Sequence, residues 1–346
     1  MKALVYLGPM NVKIVDFEIP SCGSDELLVR VIYSAICATD VKTITKGHAL
    51  IKPPAVLGHE VVGEVVKVGE NVTGFSEGDK VVVGPYAPCG YCFYCRRGLY
   101  TCCENLFSEA VYPGGFSEFI RVPPRIVKSC TLKVSRARLE EAALTEPLAC
   151  CIKGLRASGF SPGDNVAIFG AGPIGLTHLM LVRRLGARKV MVVDIDANRL
   201  EMAKKLGANV VLNPREEDVE DRIKNETDGR GADIVLTDTP AFEAVKSSIN
   251  SARKGATVCL FAGFSPSAHE YAVDLNAIHY REINLVGSFG YTPQDFYLAN
   301  QMLENGIIQL SPIITHIIGL EEVLEAIKLI QRHEALKVVV KMGEGK

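Results

Sequence analysis

Three glycines, Gly170, Gly172 and Gly175, stand between a strand-like run and a helical segment, and they constrain the fold more than any other feature. The run NVAIFG leads into them, and PIGLTHLMLVRRLGA follows with apolar residues at helical spacing. In a βαβ unit, such a GxGxxG array permits a tight turn, a close backbone approach to a pyrophosphate and close packing of helix on strand. The first helical turn, with Pro173 and Ile174, would then direct its free N–H groups at the phosphate oxygens.

Asp194 ends the next predicted strand, KVMVVD, about where an acidic residue binds the adenosine ribose. Its carboxylate would repel a 2′-phosphate, which favours NAD over NADP. Arg199 follows five residues later and fits two interpretations, a cover for the adenine or an ordinary solvated helix charge. The alternative to a dinucleotide site is a nucleotide-free α/β turn.

Strand-like and helix-like segments alternate from Asp164 to Ser288, which predicts a doubly wound parallel sheet. The strand-like runs are NVAIFG, KVMVVD, NVVLN, ADIVLTD, ATVCLFA and INLVGS. Before this region the chain has short β-branched runs interrupted by glycines, such as VVGEVVKVG, which are typical of a small bent barrel. A helical pattern starts near Arg138 and is broken near Pro147, and the segment AFEAVKSSINSARKG also has helical spacing.

Five of the eleven cysteines lie in the stretch PCGYCFYCRRGLYTCC. Four of them form a ladder with short gaps, namely Cys89, Cys92, Cys95 and Cys103. Four thiolates in such a loop complete the tetrahedron that zinc prefers; scattered structural cysteines and a thioredoxin-type redox pair are the alternatives. A zinc held by four cysteines is closed to substrate, so we interpret the ladder as a structural site and Cys102 as a small buried residue.

Charge and composition restrict the partners and the compartment. Lys and Arg number 38 against 40 Asp and Glu, for a net charge of -2, and no basic run exists to bind nucleic acid or an anionic membrane. The apolar start MKALVYL is too short for a signal peptide, and no apolar run reaches the length of a membrane span. We therefore predict a cytoplasmic protein whose cysteines are reduced.

A second set of metal-type ligands is spread along the chain. Cys37 lies in ICATD, His59 and Glu60 lie in LGHEVVG, and Glu146 lies in LTEPLAC. One thiolate, one imidazole and one carboxylate would leave a tetrahedral zinc with an open position, as in catalytic sites. Each residue alone also has an ordinary structural explanation, and spacing by itself does not join them.

The chain resembles the zinc-containing medium-chain dehydrogenase/reductase family over essentially its whole length, and most of all its polyol (sorbitol-like) dehydrogenase branch. The motifs that carry the resemblance are CATD at 37–40, GHE at 58–60, the cysteine ladder, EPL at 146–148, GAGPIG at 170–175 and VVD at 192–194. The resemblance implies an α/β fold with two domains. Residues 1–150 and 289–346 would form a GroES-like β-barrel catalytic domain with a zinc lobe at 85–107, and residues 151–288 a Rossmann NAD-binding domain.

The resemblance also assigns the spread ligands. Cys37 and His59 would bind a catalytic zinc, and Glu60 and Glu146 would bind that zinc directly or through its water. Asp40 would hold the second ring nitrogen of His59.

Two further roles follow from the resemblance. Thr39 would pass the proton of the substrate hydroxyl towards the cofactor ribose, and Lys337 would lie near the pyrophosphate. With the ladder, the chain would carry two zinc ions, one catalytic and one structural, and would use NAD.

The implied reaction is zinc-dependent hydride transfer from a secondary alcohol of a polyol, sugar or cyclitol to NAD, which gives the ketone. One alternative is an L-threonine 3-dehydrogenase-type enzyme. Another is a nucleotide-binding relative without catalysis, which would be expected to lack Cys37, His59 or Glu146. The runs ATVCLFA and INLVGS resemble the subunit contact of the family, so a homodimer or homotetramer is expected.

Overall fold

The computed structural model describes residues 1–264 and 270–343, and the chain divides into two compact units. Unit 1 consists of Met1–Ala149 and Tyr291–Lys346, and unit 2 consists of Cys150–Gly290. The sequence predicts the first division after residue 150, one residue later than in the structure. It predicts the second division after residue 288, two residues earlier than in the structure.

The described residues form sixteen strands, numbered in chain order. They are β1 Lys2–Gly8, β2 Asn11–Asp16, β3 Leu27–Ala35, β4 Ala55–Val56, β5 Glu60–Val68, β6 Lys80–Val83, β7 Phe119–Val122, β8 Thr131–Lys133, β9 Asn165–Phe169, β10 Lys189–Val193, β11 Val210–Leu212, β12 Ala232–Thr237, β13 Ala252–Leu260, β14 Asn284–Gly287, β15 Ile314–Ile318 and β16 Lys337–Lys341.

The same residues form twelve α-helices and three short 3₁₀ turns. The helices are α1 Ala38–Lys46, α2 Phe93–Arg96, α3 Pro124–Ser129, α4 Leu139–Ala142, α5 Thr145–Ser158, α6 Pro173–Arg184, α7 Ala197–Lys205, α8 Val219–Glu226, α9 Phe242–Ser251, α10 Leu275–Tyr280, α11 Pro293–Glu304 and α12 Val323–Gln331. Within the described part of the chain, every helix is too short or too polar to cross a bilayer.

Unit 2 is built on a six-stranded sheet with the order β11-β10-β9-β12-β13-β14, and all of its strand pairs are parallel. This is the doubly wound order, in which the connections reverse direction between β9 and β12. Strand β9 is buried along its whole length, as expected for a parallel strand covered on both faces. The six strand-like runs of the sequence correspond to β9 to β14, and the predicted fold class is confirmed.

Unit 1 contains a seven-stranded sheet with the order β15-β16-β3-β5-β6-β8, in which β7 also pairs with β3. Its pairs are antiparallel except β15 with β16. The β3–β5 register shifts twice, and such bulges bend a sheet. Gly63 in β5 pairs with Val31 beside one of these shifts, and the two strands approach closely there, because a Cβ at Gly63 would lie 2.4 Å from the carbonyl oxygen of Arg30.

Two helix predictions need correction. Pro147 does not break a helix; it lies in the first turn of α5, where a missing N–H costs nothing, and the break falls between α4 and α5. Helix α9 ends at Ser251, and the predicted continuation ARKG belongs to β13. The sequence does not predict α8, because its segment VEDRIKNE has too few apolar residues to show a clear helical period.

Candidate active site and metal centres

The cysteine ladder closes into a tetrahedral cluster. The four sulfur atoms lie within 4.8 Å of one another, and the Cys89–Cys95 and Cys92–Cys103 Sγ–Sγ distances are both 3.9 Å. A tetrahedron with zinc–sulfur bonds of about 2.3 Å requires about 3.8 Å, whereas a disulfide requires about 2.05 Å. The donor set and its spacing therefore fit zinc. Cys102 is exposed, so the prediction of a buried residue is wrong.

Backbone N–H groups point at the sulfur atoms of this cluster. The N–H of Cys92 donates to Sγ of Cys89 at 3.4 Å, and the N–H of Cys89 donates to Sγ of Cys103 at 3.2 Å. Burial opposes ionisation of Cys89, yet backbone donors at Tyr91 and Cys92 lower its pKa to about 6. Such donors favour the thiolate, which is the form that binds metal.

A second cluster unites three of the spread ligands. Cys37, His59 and Glu60 place a sulfur, a ring nitrogen and a carboxylate oxygen within 4.8 Å of one another. Cys37 is the N-cap of α1, just after β3, and Glu60 begins β5. The antiparallel pairing of these strands sets Ala35 opposite Glu60 and so brings the two ends together.

Asp40 ties this second cluster to the backbone. Its buried carboxylate accepts the N–H of Cys37 at 2.9 Å and the N–H of Gly58 at 3.2 Å. The same carboxylate lies 3.5 Å from Nδ1 of His59. With Nδ1 turned towards Asp40, Nε2 is the nitrogen left for a metal, as in carboxylate–histidine–zinc arrangements.

The electrostatics of the second cluster favour a positive charge at its centre. Burial opposes a charge on His59, but the Asp40 carboxylate and the Cys37 thiolate outweigh it and raise the pKa of His59 well above its ordinary value. A metal cation would take the place of that proton, since imidazole and thiol must be deprotonated to bind metal. One sulfur, one nitrogen and one carboxylate oxygen suit zinc.

Lys337 neutralises the carboxylate of Glu60. The side chain of Lys337 is buried, its Nζ lies 2.7 and 2.6 Å from the two oxygens of Glu60, and it donates to the carbonyl oxygen of Ile36 at 3.1 Å. Burial opposes the charge on Lys337, but Glu60 and Cys37 raise its pKa. The sequence does not predict this pair, and a pyrophosphate contact of Lys337 stays a prediction.

Glu146 and Thr39 flank the second cluster. Glu146 lies in the first turn of α5 and is 9% exposed. Its carboxylate is not one of the three groups whose ligand atoms lie within 4.8 Å of one another, but it interacts electrostatically with Lys337. Thr39 is half-buried in the first turn of α1. The roles proposed for both stay predictions.

The GxGxxG turn joins β9 to α6 in unit 2. Gly170 has φ = 108°, which disfavours any other residue, and a Cβ at Gly175 would lie 1.8 Å from the carbonyl oxygen of Gly170. Gly172 is the N-cap of α6, and a Cβ there would meet no atom within 4 Å. The turn therefore leaves room beside the helix N-terminus, which fits a pyrophosphate.

Asp194 follows β10 and faces the glycine turn. One of its oxygens accepts the N–H of Ala171 at 2.7 Å, and the other accepts the N–H of Asp196 at 2.9 Å. Each oxygen retains lone-pair capacity for a ribose hydroxyl. Nε of Arg199 is buried and has no hydrogen-bond partner among the described residues, and the role of Arg199 as a cover for the adenine stays a prediction.

Comparison with known proteins agrees with this geometry. The family model of the alcohol dehydrogenase GroES-like domain matches residues 23–131, and that of zinc-binding dehydrogenase matches residues 173–305. A sorbitol dehydrogenase of Bacillus subtilis is 32% identical, covering 98% of this chain and 97% of its own. An L-threonine 3-dehydrogenase of Caldanaerobacter subterraneus is 36% identical, covering 94% of each. The crystal structure of galactitol-1-phosphate dehydrogenase from Escherichia coli superposes with a TM-score of 0.89 at 26% identity, covering 99% and 100%.

Fold and clusters together define a zinc-dependent oxidoreductase linked to a nicotinamide dinucleotide. The chain belongs to the zinc-containing medium-chain dehydrogenase/reductase family, as the sequence predicts. It is an enzyme of the alcohol and polyol dehydrogenase class, whose cofactors are zinc and NAD.

Proposed function

We propose that this enzyme oxidises a secondary alcohol of a polyol, sugar or cyclitol to the ketone, with NAD as hydride acceptor. The observation that carries the proposal is the cluster of Cys37, His59 and Glu60 in a chain that matches a sorbitol dehydrogenase from end to end. When bound, zinc would supply Lewis acidity at this cluster, and NAD would supply the hydride-accepting ring.

Residues of the chain orient the His59 ring, balance the charge of Glu60 and move the substrate proton. Asp40 holds Nδ1 of His59, which orients the ring. Lys337 balances the charge of Glu60, so that this buried carboxylate is stable beside the Cys37 thiolate. Thr39, two residues after Cys37, relays the proton of the substrate hydroxyl: its oxygen accepts that proton while its own hydroxyl proton passes on towards the cofactor ribose.

We further propose two zinc ions per chain and a cytoplasmic location. The second zinc is held by the cysteine ladder, whose spacing fits a tetrahedral ion. The eleven cysteines all lie in the described residues and none of them forms a disulfide there, as expected in a reducing compartment.

The substrate assignment is tested by a panel of polyols, sugars, cyclitols and L-threonine, with NAD or NADP, in which the absorbance of the reduced cofactor is followed. We expect turnover of a polyol-type secondary alcohol. We expect kcat/KM to be roughly 100-fold higher with NAD than with NADP, because Asp194 would meet the 2′-phosphate as a like charge. An Asp194→Ala variant should lose most of this preference.

L-Threonine oxidation is the second candidate, because the 36% identity to an L-threonine 3-dehydrogenase is higher than the 32% identity to the sorbitol dehydrogenase. The same panel decides between them. Turnover of L-threonine alone would replace the polyol assignment.

We also propose a homodimer or homotetramer. Strand β14 is an edge of the six-stranded sheet, and three of its four residues are exposed. Leu275, Tyr280 and Leu285 expose large apolar side chains on or near this strand, and an uncovered apolar edge is suited to strand addition by a second copy.

The assembly is tested by light scattering on the purified enzyme. We expect at least twice the mass of one chain, and a lower mass for Leu285→Lys because the charge disfavours burial of this edge. Leu50→Lys changes an exposed leucine of unit 1 and serves as the control. A monomeric wild-type enzyme would rule the proposal out.

A further inference from the structure

Unit 2 contains a histidine that the proposed reaction does not use. His178 lies in α6, the helix that begins at the glycine turn, and its side chain is fully buried. Its Nδ1 lies 2.8 Å from a carboxylate oxygen of Asp238, whose side chain is also fully buried. Its Nε2 lies 3.3 Å from the carbonyl oxygen of Cys151 in α5.

The contacts of the ring favour its protonated form. Nδ1 faces the Asp238 carboxylate, and Nε2 faces the carbonyl oxygen of Cys151, whose side chain also hydrogen-bonds to the ring. In its protonated form the ring makes an ion pair with Asp238. Burial disfavours this charge, yet Asp238 and Cys151 raise the pKa of His178 well above its ordinary value.

The surrounding residues pack closely on the imidazole of His178. The ring of Phe261 packs edge-on against the imidazole at 4.9 Å between centroids. Residue 154 in α5 is glycine, and a Cβ there would lie 3.3 Å from Nε2 of His178 and 2.9 Å from the ring of Phe261. Helix α5 therefore approaches the imidazole closely only because Gly154 has no side chain.

Asp238 connects the pair to the glycine turn. It is the first residue after β12, the neighbour of β9, and its N–H donates to the carbonyl oxygen of Phe169 at 2.8 Å. A Cβ at Gly170 would lie 3.1 Å from the backbone of Asp238 and 3.1 Å from Cβ of Thr239. The residues after β9 and after β12 thus pack on each other at the carboxyl ends of the strands, where doubly wound folds bind dinucleotides.

The carboxylate of Asp238 depends on His178. Its second oxygen is buried and has no hydrogen-bond partner among the described residues, so the imidazolium is the group that compensates its charge there. A buried carboxylate deprived of its cation is strongly destabilised and moves towards other partners.

We propose that His178 and Asp238 are positioning residues for the dinucleotide: their ion pair fixes the backbone that follows β12 against the Gly170–Gly172 turn. The pair joins the helix whose N-terminus receives the pyrophosphate to the strand end beside the turn. It acts through the shape of this turn and touches no substrate atom. The inference rests on the proposed dinucleotide-dependent function.

The test compares charge removal at the two ends of one strand. Asp238→Asn keeps the side-chain shape and removes the charge that holds His178. We expect the Kd for NADH, followed by cofactor fluorescence without substrate, to rise about tenfold, the size expected when a bond to a charged group is lost. KM for NAD should rise with it, while kcat changes by less than about threefold.

Asp233→Asn is the matched control. Asp233 lies at the other end of β12, in an ion pair with Arg253 at 2.5 Å and a bond from the N–H of Asn165 at 2.7 Å. This variant should lower Tm and leave the Kd for NADH unchanged. The double variant His178→Leu/Asp238→Leu removes both charges, which often preserves folding, and should also bind NADH weakly.

Unchanged NADH affinity in Asp238→Asn and in the double variant would overturn the proposal and leave the pair a purely structural feature. The Kd for NADH is measured without substrate. A wrong polyol assignment would therefore appear as absent turnover in a wild-type enzyme that still binds NADH, and the Kd values of the wild type and the variants could still be compared.

Discussion

Cys37→Ala should lower kcat/KM for the polyol substrate about 1000-fold or more while the fold is retained. The substitution removes the sulfur atom from the three groups that could hold a metal ion in the second cluster. A Lewis acid contributes several kcal/mol to transition-state stabilisation, at about 1.4 kcal/mol for each factor of ten in rate. The backbone N–H of residue 37 still donates to Asp40 in the variant, so α1 keeps its start. Initial rates and circular dichroism measure the two halves of this expectation.

Cys22→Ala is the control for that variant. Cys22 is another half-buried cysteine of unit 1, and it belongs to neither cluster. The Cys22→Ala enzyme should therefore oxidise the polyol substrate at the wild-type rate. More than about a tenth of wild-type activity in Cys37→Ala would contradict the assignment of Cys37 as a ligand, because a lost metal ligand costs at least 10-fold.

Cys103→Ala should release the zinc of the ladder and lower Tm by about 10 °C, since losing a structural metal ranks among the largest single-site effects. Cys103 is central to the cluster: its sulfur lies 3.9 Å from that of Cys92 and accepts the N–H groups of Cys89 and Asn105. The segment around the cluster has little regular structure besides the four residues of α2 and one 3₁₀ turn, so without metal few contacts hold it. Differential scanning fluorimetry with a chromogenic zinc chelator measures both changes.

Cys102→Ala tests whether these effects belong to the cluster. Cys102 precedes Cys103 directly and is exposed, so its loss should change neither zinc content nor Tm. The structural role would be refuted by a Cys103→Ala enzyme that keeps its full zinc content and melts with the wild type.

The sequence predicts those parts of the site whose residues are close together in the chain. The glycine turn and the cysteine ladder each depend on one short segment, and local backbone geometry is enough to interpret them. The six strands of unit 2 can be predicted equally well from the sequence, because each is a short apolar run between turn residues.

Contacts that form only through sheet pairing cannot be predicted from local sequence patterns. Cys37 and His59 come together because β3 pairs with β5, and only the family resemblance connected them in the sequence. The Lys337–Glu60 pair joins residues 277 positions apart through the pairing of β16 with β3. No local pattern specifies such a pair.

The His178–Asp238 pair is only weakly indicated by the sequence. His178 interrupts the apolar segment of α6, and Asp238 directly follows an apolar strand. A charged residue at each place needs a partner if it is buried. Which partner it finds depends on how the helix packs on the sheet, and that is a tertiary property.

The most direct test of the zinc assignment is metal analysis of the purified wild-type enzyme beside Cys37→Ala, by inductively coupled plasma mass spectrometry with turnover measured on the same samples. We expect two zinc ions per wild-type chain, and one in Cys37→Ala together with loss of turnover. A Cys37→Ala chain that keeps both ions, or one that loses an ion and keeps wild-type turnover, would contradict a catalytic zinc at Cys37 and His59.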